Sequence, residues 1–266
     1  SYVRLLGYEE EELLGKFYAE FLEEESLSNW QAVLENLQDN VHEQTVELKL
    51  KRKQGDYLWT EGHYNAVLSN DHMGQCQIIM VSREITERKE RENKLMFMAY
   101  HDSLTNCPNR RYLNKEFPHL MEKAKARYES IAIVYLDGDN FKEVNDVYGH
   151  DVGDEFIRQF SRALMRAVSL DDLVVRVGGD EFVIVLTSLS RNEQLQLQQI
   201  QSFIERVRNE LHEGWYIDGH FFQPTSSMGI SLYPKHGEQL EKLVDLADYA
   251  LCQSKVKQKN SYKMCE

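Results

Sequence analysis

The chain has 266 residues, 42% hydrophobic and 11% aromatic, enough for two ordinary domains with sizeable cores. A net charge of −13 at pH 7 argues against a nucleic-acid or anionic-membrane surface and points to a small partner, although a phosphate site can still be locally positive. Four cysteines, at 76, 107, 252 and 265, form no C-x-x-C pair or zinc spacing and read as reduced thiols, and no apolar run approaches 18 residues, so no membrane span and a cytoplasmic location are expected.

The opening SYVRLLGYEEEELLG reads as a helix end, a turn at Gly7 and a short acidic helix ending at Gly15. Residues 23–38 place Leu27, Trp30, Val33, Leu34 and Leu37 at helical spacing. Strand-like runs follow at 44–52, 57–68 and 75–84, with turns at 54–56 and 70–74. Trp30, Tyr57, Trp59, Tyr64, His42, His63 and His72 are candidates for a cofactor pocket, but scattered aromatics and histidines more often serve core and surface. None of the histidines or cysteines sits in a recognisable haem or flavin context, so no ligand is assigned. Residues 85–99, ITERKERENKLMFMA, read as a charged helix with Ile85, Leu95 and Ala99 near a heptad stripe that Arg88 and Glu92 interrupt. A short parallel coiled coil passing a signal between protomers and a solvated connector both fit that pattern.

Beyond it, a helix over 109–127 leads to an apolar strand at 131–136 that runs straight into Asp137 and Asp139. A helix over 155–168 lines up Phe156, Ile157, Phe160, Ala163, Leu164 and Ala167, and precedes VVRVGGDEFVIVL at 174–186. There two β-rich runs flank Gly178, Gly179, Asp180 and Glu181, the pattern of a hairpin whose turn carries two acids. Acids at a turn are usually only solvated. If the strand ending at Asp137 lies beside the hairpin, however, three carboxylates converge; two like charges ~4 Å apart repel by about 4 kcal/mol at an effective dielectric of about 20, so the group needs a cation or raised pKa values. Oxygen ligands without histidine or cysteine favour Mg²⁺ or Mn²⁺ over zinc. A helix over 192–211, strands at 215–222 and 225–232, and a helix over 239–258 complete the chain.

Five motifs in order carry a specific resemblance: HDSLTNCPNR at 101–110, DGDNFKEVNDVYGHDVGD at 137–154, RVGGDEF at 176–182, SSMGIS at 226–231 and ADYALCQSK at 247–255. From about Tyr100 to Tyr262 the chain resembles a GGDEF-family diguanylate cyclase. The first part, with LLGY, KRKQGDYLW and REITERK, resembles a PAS domain lacking its first strands, as though the chain were a fragment of a longer protein that could carry a membrane tether upstream. The implied fold is α+β: a PAS-like antiparallel sheet with helices over 1–84, a signalling helix over 85–99, and over 100–266 a ferredoxin-like, nucleotidyl-cyclase-like β-α-β-β-α-β core with extra elements.

The resemblance also implies roles. Asp137, Asp180 and Glu181, with the Gly138 carbonyl, are expected to hold two Mg²⁺ or Mn²⁺ ions per GTP, and Asp180 or Glu181 to assist deprotonation. Phosphates would meet the backbone N–H groups of Asn140 and Phe141 and the ammonium groups of Lys142, Lys255 and Lys259; guanine would be read by Asn145 and Asp154. For these last two, a helix residue and a helix cap are the structural alternatives. Arg176 and His150 take supporting roles. Ser169 stands where the family's product-inhibition arginine belongs, although Asp172 is retained, so that site is expected to be absent. Cys252, Gln258 and Lys259 replace a common tyrosine, glycine and arginine, and Lys259 keeps charge without the bidentate fork. The leading expectation is a PAS-regulated diguanylate cyclase working as a homodimer, with two GGDEF domains meeting antiparallel. The alternatives are a non-catalytic GTP-binding domain controlling an appended phosphodiesterase and, third, a single-site purine nucleotide cyclase.

Overall fold

The computed structural model describes residues 2–38, 43–68 and 76–265. The chain divides into two compact units, Ser1–Met96 and Phe97–Glu266.

In the first unit, α1 (Tyr2–Leu6) and α2 (Glu10–Leu13) are followed by two 3₁₀ turns, Tyr18–Phe21 and Glu24–Ser26, and by α3 (Leu27–Gln38). The helix expected over 23–38 therefore starts four residues late, because its first turn is the tighter 3₁₀ form. Strands β1 (Glu43–Lys51), β2 (Tyr57–Leu68) and β3 (Cys76–Glu84) form an antiparallel sheet in that order. Leu48, Leu50, Leu58 and Tyr64 face a core closed by Leu6, Leu22, Val33 and Leu37. The side chain of Tyr64 folds back over Gly62, where a Cβ would lie 2.4 Å from its hydroxyl.

The candidate pocket residues do not meet around one cavity. Trp30 and Tyr64 meet at a tilt of 57° in the first unit's core with ring centroids 5.3 Å apart, whereas period-two alternation puts Tyr57 and Trp59 on the opposite face beside Lys49. On that face His63 pairs with Thr45 at 2.9 Å. His42, His72 and the turn at 70–74 lie outside the described residues. Ile85 also departs from expectation: it is buried ahead of α4 (Thr86–Tyr100), with its N–H bonded to the carbonyl of Trp59, so it does not join a helical stripe. Leu95, Met96, Phe97 and Met98 of α4 are exposed.

The second unit is built on a five-stranded sheet. After α5 (Arg110–Arg127), capped by the Asn109 side chain, come β4 (Ser130–Gly138), α6 (Phe141–Tyr148), α7 (His150–Ala167), β5 (Leu173–Gly178), β6 (Glu181–Leu189) and α8 (Glu193–Glu213). A small hairpin, β7 (Trp215–Ile217) and β8 (His220–Phe222), precedes β9 (Ser226–Tyr233), α9 (Leu240–Lys257) and β10 (Tyr262–Met264). The sheet order is β10-β9-β4-β6-β5, the ferredoxin-like order with β10 added parallel to β9.

Strand β4 is the hinge of this order. Ala132, Val134 and Leu136 enter a core with α7 and α8, while Ile131 and Ile133 enter the opposite core with α5 and α9. Gly229 of β9 lets α9 approach closely, since a Cβ there would lie 1.9 Å from the carbonyl of Ala247. Two expectations are corrected. The run 215–222 is a hairpin and not one strand, because Asp218 and Gly219 both adopt positive φ, 48° and 83°, as its two-residue turn requires. The helix expected from 155 begins at His150, just after Gly149 (φ 85°), so Asp154 lies inside α7 and is not its cap.

Candidate functional site

The sheet brings the acids to one end. Asp137 pairs directly across from Glu181 in the β4–β6 ladder and from Ser227 in β9. The N–H of Gly138 donates to the carbonyl of Asp180 at 3.2 Å, and a Cβ on Gly138 would sit 3.5 Å from Asp180 Oδ2. The Asp180 carboxyl is pushed up to about 6, first by burial and then by the charge of Asp137, with Glu181 adding to the effect and Lys255 opposing it. Tyr135, its hydroxyl pushed up to about 12 by burial and by Glu181, stays protonated and donates to Glu181 Oε2 at 3.5 Å.

The turn carrying Asp180 is held from outside. Arg176 donates from Nε and one terminal nitrogen to the Gly179 carbonyl at 3.1 and 2.8 Å, and from the other to Asp102 at 2.7 Å. Asp102 also accepts from the Thr105 N–H and hydroxyl, which ties the 101–105 segment to the hairpin. Gly179 takes φ 47°, the left-handed turn that glycine makes at little cost.

Positive charge sits beside the acids. Lys255 of α9 pairs with Asp137, and Lys259 donates to the side chain of Asn140. Asn140, at φ 66°, precedes the first turn of α6, and Lys142 is exposed on that helix. Asn145 of α6 reaches α7 at Gly153, where a Cβ would be 1.9 Å from its Oδ1; its amide therefore lies beside the backbone that immediately precedes the exposed Asp154. His150 is exposed at the start of α7. Asp172 is engaged by the N–H groups of Ser169 and Thr187 and by the Thr187 hydroxyl.

Residues 99–261, more than half of the chain, match the family model described as diguanylate cyclase, GGDEF domain. The chain belongs to the GGDEF family. Residues 2–87 match the PAS domain model, so a PAS domain precedes the GGDEF domain. The cyclic di-GMP phosphodiesterase NbdA of Pseudomonas aeruginosa is 36% identical over 164 residues, which are 62% of this chain and 20% of NbdA. The diguanylate cyclase DosC of Escherichia coli is 34% identical over 189 residues, 71% of this chain and 39% of DosC. The chain thus spans less than half the length of either relative. Among solved structures, a sensory box/GGDEF family protein from Caulobacter crescentus is 34% identical, with TM-score 0.55, covering 59% of this chain and 99% of that one. The GGDEF domain of YfiN from Pseudomonas aeruginosa is 27% identical, with TM-score 0.57, covering 61% of this chain and 98% of its own.

The donors of this GGDEF domain suit a hard divalent cation: three carboxylates and a backbone carbonyl, all oxygen, with the Asp180 carboxyl raised by burial and then by the Asp137 charge, which Lys255 only partly offsets. Among the described residues no three acidic, histidine or cysteine side chains are gathered as a metal cluster, and Asp137 is turned to the Lys255 ammonium instead. Asp139 stands out in the sequence beside Asp137 but receives no role there. It lies between Asp137 and the start of α6, is 8% exposed, and accepts from the Thr225 and Ser227 hydroxyls and the Asn260 N–H. A second acid two residues after a strand's first was the available signal, but its partners are distant in sequence.

Proposed function

We propose that this chain is a diguanylate cyclase, condensing two GTP molecules into cyclic di-GMP and two pyrophosphates. The reading rests on the convergence of Asp137, Asp180 and Glu181 at one sheet end, beside Lys255 and the start of α6. Each 3′-hydroxyl oxygen forms a bond to the other nucleotide's α-phosphorus as the bond to pyrophosphate breaks, and this happens twice per product. When bound, two Mg²⁺ or Mn²⁺ ions per GTP would lower the hydroxyl pKa and offset charge on the leaving oxygen.

Asp137, Asp180, Glu181 and the Gly138 carbonyl are the residues that would hold the ions. Asp180 or Glu181 takes the hydroxyl proton. Lys255 exchanges Asp137 for phosphate oxygens, joined by Lys142, Lys259 and the N–H groups of Asn140 and Phe141 at the helix start. A carboxylate at Asp154 accepts from guanine N1–H and its exocyclic amine, and Asn145 is held beside it for the same base. Because each active site supplies one GTP, two copies must meet antiparallel; the PAS domain (1–84) and the helix at 85–99 set that geometry for the cyclase domain (100–266). Tight product binding at the usual inhibitory site is not proposed, since Ser169 brings no charge and Asp172 is already committed to local hydrogen bonds.

The phosphodiesterase name of NbdA supports a second reading, in which the domain binds GTP without turnover and regulates an appended phosphodiesterase. Incubation of the purified chain with GTP and Mg²⁺, followed by product identification, separates the two. Cyclic di-GMP that disappears with Asp180→Ala supports the cyclase, bound but unaltered GTP supports the second reading, and cyclic GMP would overturn both.

A further inference from the structure

Asp139 is the buried acid that the proposed chemistry leaves without a task. Its carboxylate is 8% exposed and receives three donors: the Thr225 hydroxyl on Oδ2 at 2.7 Å, the Asn260 N–H on the same oxygen at 3.0 Å, and the Ser227 hydroxyl on Oδ1 at 2.8 Å. Its own N–H donates to the Thr225 carbonyl at 2.9 Å. With its oxygens filled from three sides and its backbone pinned to β9, Asp139 is not free to serve as a metal ligand. A buried carboxylate is costly without hydrogen-bond partners, and the three that Asp139 finds come from segments it thereby joins.

The segment joined at Asn260 matters most. Asn260 holds φ 55°, a left-handed conformation that asparagine tolerates better than most residues, and its N–H is what Asp139 captures. The residue before it is Lys259, whose ammonium reaches Asn140, the residue after Asp139. Two adjacent residues at the end of β4 are thus bonded to two adjacent residues of the α9–β10 connection, Asp139 to Asn260 and Asn140 to Lys259. That connection is also held by Arg208 on the Asn260 carbonyl and by the Met228 N–H on the Ser261 carbonyl, so its path is fixed and the Lys259 ammonium is delivered to Asn140.

We propose that Asp139 is a positioning residue, acting through the Asn260 backbone to hold the Lys259 ammonium over the α6 start for a nucleotide's phosphates. The inference rests on the GTP-binding reading above. It separates phosphate affinity, which depends on Asp139, from base affinity at Asn145 and Asp154, which does not.

Calorimetric titration of the full chain with GTP·Mg²⁺ and separately with guanosine tests it, using Asp139→Asn, Lys259→Ala and the double variant. Asp139→Asn is expected to raise the GTP Kd roughly tenfold, the size of one charge-assisted bond lost, with the guanosine Kd unchanged. The double variant is expected to be no weaker than Lys259→Ala alone, because the two act in series. Additive losses, or a guanosine Kd rising in step with that for GTP, would overturn the proposal. If Asp139→Asn does not fold, Thr225→Val, which strips one donor from the same oxygen, should raise the GTP Kd by a smaller factor with guanosine unmoved, and an unchanged GTP Kd would count against Asp139. Wild-type protein that fails to bind GTP at all would instead sink the underlying reading.

Discussion

Replacing Arg176 by lysine should loosen the Gly178–Glu181 turn by a calculable amount. The guanidinium fork makes two bonds to the Gly179 carbonyl and a third to Asp102, and the two side chains are only 12% and 25% exposed, so solvent screens the contact weakly. A lysine ammonium is a point charge that reaches one of these partners but not both. Losing one or two charge-assisted bonds costs about 1.5–3 kcal/mol. With a urea dependence of about 2 kcal/mol per molar for a unit of this size, the unfolding midpoint of the GGDEF unit should fall by roughly 1 M. Trp215 is the only tryptophan beyond residue 96, so its fluorescence reports this unit once Trp30 and Trp59 are changed to phenylalanine.

The same pair predicts a pH dependence. Burial alone would push the Asp102 carboxyl up, but hydrogen bonds from Arg176 and Thr105 outweigh it and hold the carboxyl below its usual range. A group with a depressed folded-state pKa contributes stability that is present above its unfolded value, near 3.9, and is lost as pH falls through the lower folded value. Arg176→Lys should shrink that acid-side loss, and amide exchange at 178–181 should quicken. An unchanged midpoint with unchanged exchange at the turn would refute the assignment of Arg176 as its clamp.

Three further outcomes follow from the geometry. The Asp180 carboxyl, pushed up to about 6, must lose its proton to hold a cation, so Mn²⁺ binding in the presence of GTP should weaken as pH falls through about 6 and lose that inflection in Asp180→Asn; a flat profile from pH 5 to 8 in the wild type would contradict this. Gly153→Ala puts a methyl where Asn145 Oδ1 now sits, 1.9 Å away, and should weaken guanosine binding by tenfold or more while thermal unfolding shifts little, both readable by calorimetry. Gly229→Ala meets the Ala247 carbonyl at 1.9 Å and the Leu251 nitrogen at 2.2 Å, rigid backbone in both cases, and should cost more than about 3 kcal/mol, seen as loss of cooperative unfolding of the GGDEF unit.

Much of this arrangement is legible in the sequence, for identifiable reasons. Strand β4 and the hairpin announce themselves because β-branched and aliphatic runs stop at Asp137 and at the glycine pair, and the pairing of Asp137 with Glu181 follows once those strands are neighbours. Helices α7, α8 and α9 show through their inward faces. The 215–222 hairpin is masked because its aromatic-rich residues read as one strand on either side of Asp218 and Gly219. Strand β10 has three residues, too few to show a period, and owes its existence to parallel pairing with β9. Asp139 is legible as an acid but not as a junction, since its partners stand 86, 88 and 121 residues away and only tertiary packing brings them in.

Anomalous scattering from crystals grown with Mn²⁺ and a non-hydrolysable GTP analogue would show whether Asp137 and Asp180 hold divalent ions against a bound triphosphate. Mn²⁺ peaks are expected roughly 2.0–2.4 Å from carboxylate oxygens of both residues, with Lys255 moved from Asp137 to phosphate. Nucleotide bound with Lys255 still on Asp137, and no peak at either carboxylate, would contradict that role.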